Sequence, residues 1–229
     1  MSSTPQVLFE DNHLVILNKP AGWLVQGDKT GDATLTDWGR DFIKEKYQKP
    51  GEVFLHPCHR LDRPVSGITI FAKTSKALER MNKLFRDDDI TKVYVAVVKG
   101  KPALDQAKLV HWLEKNSDNN TVKAFDKDTG RGKKAELDYV LKATAQNLSL
   151  LQVFPKTGRA HQIRVQLAKM GCPIKGDLKY GFPDANPDKS IHLHAFAIKF
   201  VHPVKKEAME IKCTPNWEAF KEIINGLDR

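Results

Sequence analysis

The chain has 229 residues, of which 41% are hydrophobic and 28% are charged, and these proportions are typical of a globular protein that buries a core. Lysine and arginine number 37 against 28 aspartates and glutamates, and the net charge of +9 favours a polyanionic partner such as nucleic acid. No apolar run approaches the length of a membrane-spanning helix, so we expect no membrane partner.

The cysteines and the N-terminal residues bear on the cellular compartment. Cys58, Cys172 and Cys213 are an odd number at wide spacing, which argues against a disulfide framework and favours a reducing environment. The first six residues lack the basic region and the apolar stretch of a signal peptide. We therefore expect a cytoplasmic protein.

Strand patterns predominate along the chain. Residues 92–98 are apolar on both faces, which is typical of a central strand. The other predicted strands cover residues 7–9, 14–17, 107–112, 121–125, 135–143, 148–154, 191–200 and 209–213. Helices are interspersed without a sustained alternation of strand and helix, and this favours an α+β fold with a largely antiparallel sheet.

Four helices are predicted from capping residues and apolar periodicity. The first begins at Thr34, with Asp37 as its capping-box partner three residues later. The second follows Thr74, and the third covers residues 161–170. A final helix is predicted over residues 217–224, where a proline and an asparagine provide a start signal.

Three polar stretches are predicted to be loops. The acidic run at residues 87–89 fits a loop because negative charge at the C-terminal end of a helix opposes the helix dipole. Residues 116–120 separate two predicted strands. Residues 126–134 are basic and contain glycine, so they fit either a phosphate-contacting loop or a solvated hairpin tip.

One short segment, residues 59–67 (HRLDRPVSG), has the composition of a reactive turn. Asp62 lies between Arg60 and Arg63, and Pro64 prevents a helix from continuing through the segment. An apolar strand pattern follows directly, so the carboxylate is placed at the edge of a buried strand. On this segment alone, a turn-capping aspartate is as good an interpretation as a catalytic one.

The segment resembles the HRLD motif of the RluA family of pseudouridine synthases. Three further blocks resemble that family and occur in the same order, so the likeness spans roughly residues 7 to 200. They are residues 15–22 (VILNKPAG), residues 92–100 (KVYVAVVKG), and residues 158–167 (GRAHQIRVQL) with 173–177 (PIKGD) and 180–181 (YG). The resemblance implies the pseudouridine synthase catalytic fold, a mixed and mostly antiparallel sheet flanked by helices and loops around a central RNA-binding cleft.

The resemblance also implies roles for individual residues. Asp62 corresponds to the catalytic aspartate, Tyr94 to the tyrosine that lies against the extruded uracil, and Arg164 to the arginine that partners the aspartate. The reaction needs a carboxylate that stays ionised beside a base, and a nearby guanidinium favours that state. An aromatic face also suits a flipped base. Five residues are candidates for RNA contacts: Arg60, Arg63, Arg159, His161 and Lys19.

The sequence departs from the family at three positions. Val65 stands where the family usually has threonine, Ala160 where threonine or serine is commoner, and Gln166 where histidine is commoner. These differences bear on substrate contacts more than on the chemistry. We expect a single catalytic domain over residues 1–229 without an N-terminal S4 domain, a short form that resembles the tRNA-directed C type of the family, although ribosomal RNA stays open as the substrate.

The predicted function is therefore isomerisation of specific uridines in tRNA or rRNA by a monomer, with no cofactor and no metal. A non-catalytic RNA-binding protein on the same fold is the main alternative. A glycoside hydrolase fits poorly, because Asp62 has arginine neighbours and no second carboxylate. A zinc site at His56, Cys58 and His59 also fits poorly, because their adjacent spacing does not close a tetrahedral site.

Overall fold

The computed structural model describes residues 4–28, 30–116 and 119–227. The chain forms two compact units. The first contains Met1–Thr91 and Ala195–Pro215, and the second contains Lys92–His194 and Asn216–Arg229. Whether both belong to one catalytic domain, as expected from the sequence, stays a prediction. The predominance of strands confirms the α+β fold class.

The strands are β1 (Gln6–Glu10), β2 (Leu14–Lys19), β3 (His56–Pro57), β4 (Ser66–Ala72), β5 (Thr91–Lys99), β6 (Gln106–Asn116), β7 (Thr121–Phe125), β8 (Lys133–Ala145), β9 (Leu148–Pro155), β10 (Leu193–Val201) and β11 (Ala208–Lys212). The helices are α1 (Leu35–Lys46), α2 (Ser75–Arg86), α3 (Gln162–Lys169) and α4 (Lys221–Gly226), with a short 3-10 helix at Leu178–Tyr180.

The first unit is built on strands in the order β1-β2-β4-β10, with β3 beside β4 and β11 beside β10. The pairs β1–β2, β2–β4, β3–β4 and β10–β11 are antiparallel. Gly67 lies near the start of β4, where the backbone of Ala195 comes very close. It has a φ of +115°, and a Cβ there would lie 2.4 Å from the carbonyl oxygen of Ala195, so only glycine fits.

The two helices of this unit begin where the sequence predicts. At α1, the Thr34 hydroxyl accepts a hydrogen bond from the Asp37 amide, and the Asp37 carboxylate accepts one from the Thr34 amide, both at 3.1 Å. At α2, the Thr74 hydroxyl accepts from the Ala77 amide at 3.1 Å. Helix α2 ends at Arg86, which confirms that the acidic run lies beyond it.

The second unit is built on strands in the order β5-β9-β8-β6-β7, and the pairs among these strands are antiparallel. Its core includes a cluster to which three strands and α3 contribute one residue each: Leu113, Val122, Ala135 and Val165. This cluster fixes α3, which carries the predicted arginine of the site.

Two features of this unit differ from the prediction. β6 extends beyond its predicted apolar stretch because its pairing with β7 continues as far as Asn116↔Thr121. β8 is longer than predicted because it pairs with β6 at Leu113↔Lys133 and with β9 at Ala145↔Leu148. α4 begins at Lys221, four residues after the predicted start at residue 217. The reason is tertiary: the Trp217 indole is buried and stacks on the His192 imidazole with the ring centroids 4.6 Å apart.

The predicted loops are found between the expected strands. The 116–120 stretch lies partly outside the described residues. Residues 126–132 join β7 to β8 and are mostly exposed, and hydrogen bonds within the loop join Gly130 to Asp128 and Gly132 to Thr129. No helix in the described part of the chain combines the length and the apolar character that crossing a bilayer requires.

Candidate active site

Asp62 lies in the loop between β3 and β4, in a tight turn. Its carbonyl oxygen accepts a hydrogen bond from the Val65 amide at 3.0 Å. Leu61 and Val65 are buried on either side of the turn, while the Asp62 side chain is half-buried. The apolar neighbours therefore hold the backbone against the core and leave the carboxylate near the surface.

A buried lysine, Lys19, holds this turn in place through hydrogen bonds. Lys19, at the end of β2, is fully buried. Its ammonium donates to the carbonyl oxygens of Trp23 at 2.8 Å, Pro20 at 3.0 Å and Arg63 at 3.1 Å. The Gly22 amide also donates to the Arg63 carbonyl at 2.8 Å. The segment after β2 and the turn that carries the aspartate are thus tied together by one cation.

Lys19 also interacts electrostatically with Asp62. Burial lowers the pKa of Lys19 from its ordinary value of 10.5 to about 7, while the Asp62 carboxylate raises this pKa and the Arg63 guanidinium lowers it. The ammonium and the carboxylate therefore attract each other next to the turn. RNA contact by Lys19 stays a prediction, and the structure gives this residue a local role in holding the turn.

We expect the stability supplied by Lys19 to depend on pH. Between pH 7 and 10 the unfolded chain keeps the lysine proton while the folded chain loses it, so the free energy of unfolding rises with pH in this window. Relative to Lys19→Met, the wild type should gain about 2–3 kcal/mol between pH 7 and 9. Urea unfolding of both proteins at each pH measures the difference, and parallel pH curves would contradict the expectation.

The arginines and histidine around Asp62 occupy distinct positions. Arg60 and Arg63 are exposed, and the Arg63 side chain donates to the Gly22 carbonyl at 3.0 Å and pairs with Asp32 at 2.8 Å. His59 accepts a hydrogen bond at Nε2 from the Ile70 amide at 3.1 Å, which anchors the start of the loop on β4. Both arginines are accessible to a polyanion.

Cys58 and His59, two residues of the alternative zinc site, have different surroundings. Burial raises the pKa of the Cys58 thiol to about 12. His59 uses Nε2 to accept a backbone hydrogen bond. Within the described ranges, no three His, Cys, Asp or Glu side chains come together as a metal site.

In the second unit, Tyr94 lies near the start of β5. It pairs with Val153 of β9, and its neighbours Val93 and Val95 are buried on the opposite face of the strand. Tyr94 itself is only half-buried. The strand therefore fixes the backbone of the tyrosine, and part of the residue stays exposed.

Arg164 is buried in α3, whereas its place off the apolar stripe is more typical of a surface residue. Its guanidinium donates twice to the Asp177 carboxylate, from Nε at 2.7 Å and from Nη2 at 2.9 Å. The guanidinium carbon lies 5.0 Å from the centre of the Tyr180 ring. The carboxylate and the ring together compensate for burying the charge, and sequence periodicity detects neither of them.

The remaining predicted residues of this unit lie at the start of α3. Arg159 is exposed and donates to the Lys134 carbonyl at 3.2 Å. His161 is half-buried and hydrogen-bonds through Nδ1 to the Tyr180 hydroxyl at 2.7 Å. The prediction missed Gln162, the first residue of α3. Its side-chain oxygen accepts hydrogen bonds from the Thr157 hydroxyl at 2.7 Å and from the Arg159 backbone amide at 3.1 Å. Its side-chain nitrogen donates to the Glu136 carbonyl oxygen at 3.0 Å.

The departures from the family pattern have different surroundings. Gln166 is fully buried, and its amide nitrogen donates to His111 Nδ1 at 3.0 Å and to the Ala135 carbonyl at 3.3 Å. It acts as a core residue that joins α3 to the sheet. Val65 is buried beside Asp62, and Ala160 is exposed just before α3.

Comparison with known proteins defines the class of protein. Residues 13–169 match the RNA pseudouridylate synthase family. Ribosomal large subunit pseudouridine synthase C of Buchnera aphidicola subsp. Schizaphis graminum is 33% identical over 230 residues, covering 96% of this chain and 70% of the relative. The synthase C of Vibrio vulnificus is 32% identical over 96% of this chain and 69% of the relative. Synthase D of Borreliella burgdorferi is 34% identical over 84% and 60%.

Solved structures show the same fold. Human RNA Pseudouridylate Synthase Domain Containing 4 superposes with a TM-score of 0.77 at 23% identity, covering 96% of this chain and 92% of that one. Human RNA Pseudouridylate Synthase Domain Containing 1 gives 0.73 at 24%, with 96% and 87% covered. The fold is therefore the one that these synthase domains share. The chain belongs to the RNA pseudouridylate synthase family, as its sequence motifs predict.

Proposed function

We propose that this protein converts uridine to pseudouridine in large-subunit ribosomal RNA, with Asp62 as the catalytic residue. One observation supports Asp62 above all others: in a chain of this family, Asp62 is half-buried in a turn that the buried Lys19 side chain holds in place. Such a turn presents the acid to a substrate while the backbone beneath it is fixed.

The chemistry needs few participants. The bond between ribose C1′ and uracil N1 breaks, the base turns, and a bond forms between C1′ and C5. C5 then loses a proton and N1 gains one, so no redox partner or energy donor is consumed. Asp62 acts either by covalent attack or by taking the C2′ proton, and both roles need its ionised form. We assign Tyr94 to contact with the flipped base and Arg164 to support of the ionised acid, as the family resemblance implies.

Ribosomal RNA is favoured over tRNA as the substrate by the names of the relatives, which refer to the large ribosomal subunit. The chain spans 60–70% of the length of those three relatives. We further propose that it acts as a cytoplasmic monomer without a cofactor. The three free, buried cysteines are consistent with a reducing compartment.

The test supplies the protein with unmodified large-subunit ribosomal RNA and, separately, with unmodified bulk tRNA. Chemical mapping of pseudouridine should find product at defined positions in the ribosomal RNA. Product in tRNA alone would show that tRNA, and not ribosomal RNA, is the substrate. Binding to both RNAs without product would favour the alternative of a non-catalytic RNA-binding protein. Unchanged turnover with added EDTA would support a metal-free reaction, and gel filtration with light scattering would report the oligomeric state.

A further inference from the structure

The segment after α3 folds into a single turn whose geometry determines which side chains can meet Arg164. The Tyr180 amide donates to the Asp177 carbonyl at 3.1 Å, closing a 3-10 turn. Asp177 lies just before this turn and Tyr180 lies at its end, and both contact Arg164 of α3. Gly176 sets the entry to the turn. It has a φ of +85°, and a Cβ there would lie 2.5 Å from the Asn186 amide nitrogen.

This turn holds the Arg164 guanidinium on two sides. The Asp177 carboxylate receives its Nε and Nη2 edge, and the Tyr180 ring lies against its face at 5.0 Å. A bidentate pair fixes the plane of a guanidinium, and an aromatic face restricts its tilt. Asp177 and Tyr180 therefore leave the guanidinium with little freedom to reorient.

The Tyr180 hydroxyl controls a second residue. It accepts a hydrogen bond from the Val122 amide at 3.0 Å and lies 2.7 Å from His161 Nδ1. The donor and acceptor in the bond to Nδ1 depend on the tautomer of His161: when the neutral imidazole carries its proton on Nε2, Nδ1 accepts the phenol proton. The hydroxyl thus orients the His161 ring and offers a donor that favours the Nε2-protonated tautomer.

We propose that Tyr180 is a positioning residue for pseudouridine formation: its ring orients Arg164, and its hydroxyl holds His161 in the Nε2-protonated tautomer for RNA binding. The proposal rests on the proposed function, which assigns Arg164 to the reaction, and on the prediction from the sequence that His161 contacts RNA. The proposal assigns a different effect to each of two parts of the Tyr180 side chain. Loss of the hydroxyl should affect RNA binding, and loss of the ring should affect turnover.

The kinetic test compares two substitutions with a matched control. Tyr180→Phe keeps the ring and should raise KM for the ribosomal RNA by about three- to tenfold with kcat within about twofold. Tyr180→Leu also removes the ring and should lower kcat by about tenfold. Tyr139→Phe is the control, because the buried Tyr139 hydroxyl makes a comparable hydrogen bond, to the Leu104 carbonyl at 3.1 Å in the same unit. It should leave both constants unchanged.

A second readout examines the free protein. Side-chain ¹⁵N NMR of His161 should show an unprotonated Nδ1 in the wild type and in Tyr139→Phe, and a mixture of tautomers in Tyr180→Phe. Equal KM values for both Tyr→Phe variants, with an unchanged His161 spectrum, would overturn the proposal. If the wild type forms no product on any RNA, the proposed function fails. In that case the role of Tyr180 in orienting Arg164 for the reaction is refuted as well. The role of Tyr180 in holding His161 is then tested by the His161 spectrum and by the Kd of each variant for the ribosomal RNA.

Discussion

Replacing Asp62 with asparagine should lower the single-turnover rate of pseudouridine formation by about 10³-fold. The amide has nearly the same size as the carboxylate, but it can neither attack as a nucleophile nor accept a proton at neutral pH. RNA affinity should change by less than about threefold, because a carboxylate contributes no attraction to phosphates. Quantitative pseudouridine mapping under single-turnover conditions, with a parallel filter-binding measurement, checks both expectations.

The matched control for this substitution is Asp41→Asn on the exposed side of α1, which makes the same change in net charge far along the chain from the turn. It should leave rate and affinity as they are in the wild type. Retention of most of the wild-type rate by Asp62→Asn would remove Asp62 from the chemistry. A large loss of affinity with residual turnover would instead make Asp62 a binding residue.

Local signals in the sequence were sufficient where neighbouring residues determine the structure. Thr34 and Asp37 are three residues apart and cap each other, so the start of α1 follows from their identities alone. The run at residues 92–98 is apolar on both faces, and β5 indeed pairs with β9 and is largely buried. The family motifs likewise identified the class of enzyme, because four blocks in a fixed order are far more specific than one.

The surroundings of the site residues could not be predicted from the sequence, because they depend on contacts between residues that are distant in the chain. Lys19 donates to the Arg63 carbonyl across 44 residues, and its burial cannot be inferred from a lysine at the end of a strand. Arg164 lies off the apolar stripe of α3, so periodicity places it at the surface, but Asp177 and the Tyr180 ring make its burial possible. Trp217 illustrates the same limit, since stacking on His192 overrides the predicted helix start.

Breaking the pair between Arg164 and Asp177 should be among the most destabilising single changes in the second unit. Both side chains are almost fully buried, so Asp177→Asn removes the carboxylate charge beside a guanidinium that water cannot reach. We expect the free energy of unfolding to fall by about 3 kcal/mol, because the amide can still accept one of the two hydrogen bonds.

Asp177→Asn should also form pseudouridine more slowly than the wild type, even at temperatures where the variant remains folded. The reason is that two parallel hydrogen bonds no longer fix the plane of the Arg164 guanidinium. Asp138→Asn is the control: its exposed partner Lys156 lies 3.6 Å away, and such pairs contribute about 0–1 kcal/mol. Urea unfolding followed by far-UV circular dichroism measures both variants, and equal losses for the two would show that burial adds nothing to the Arg164–Asp177 pair.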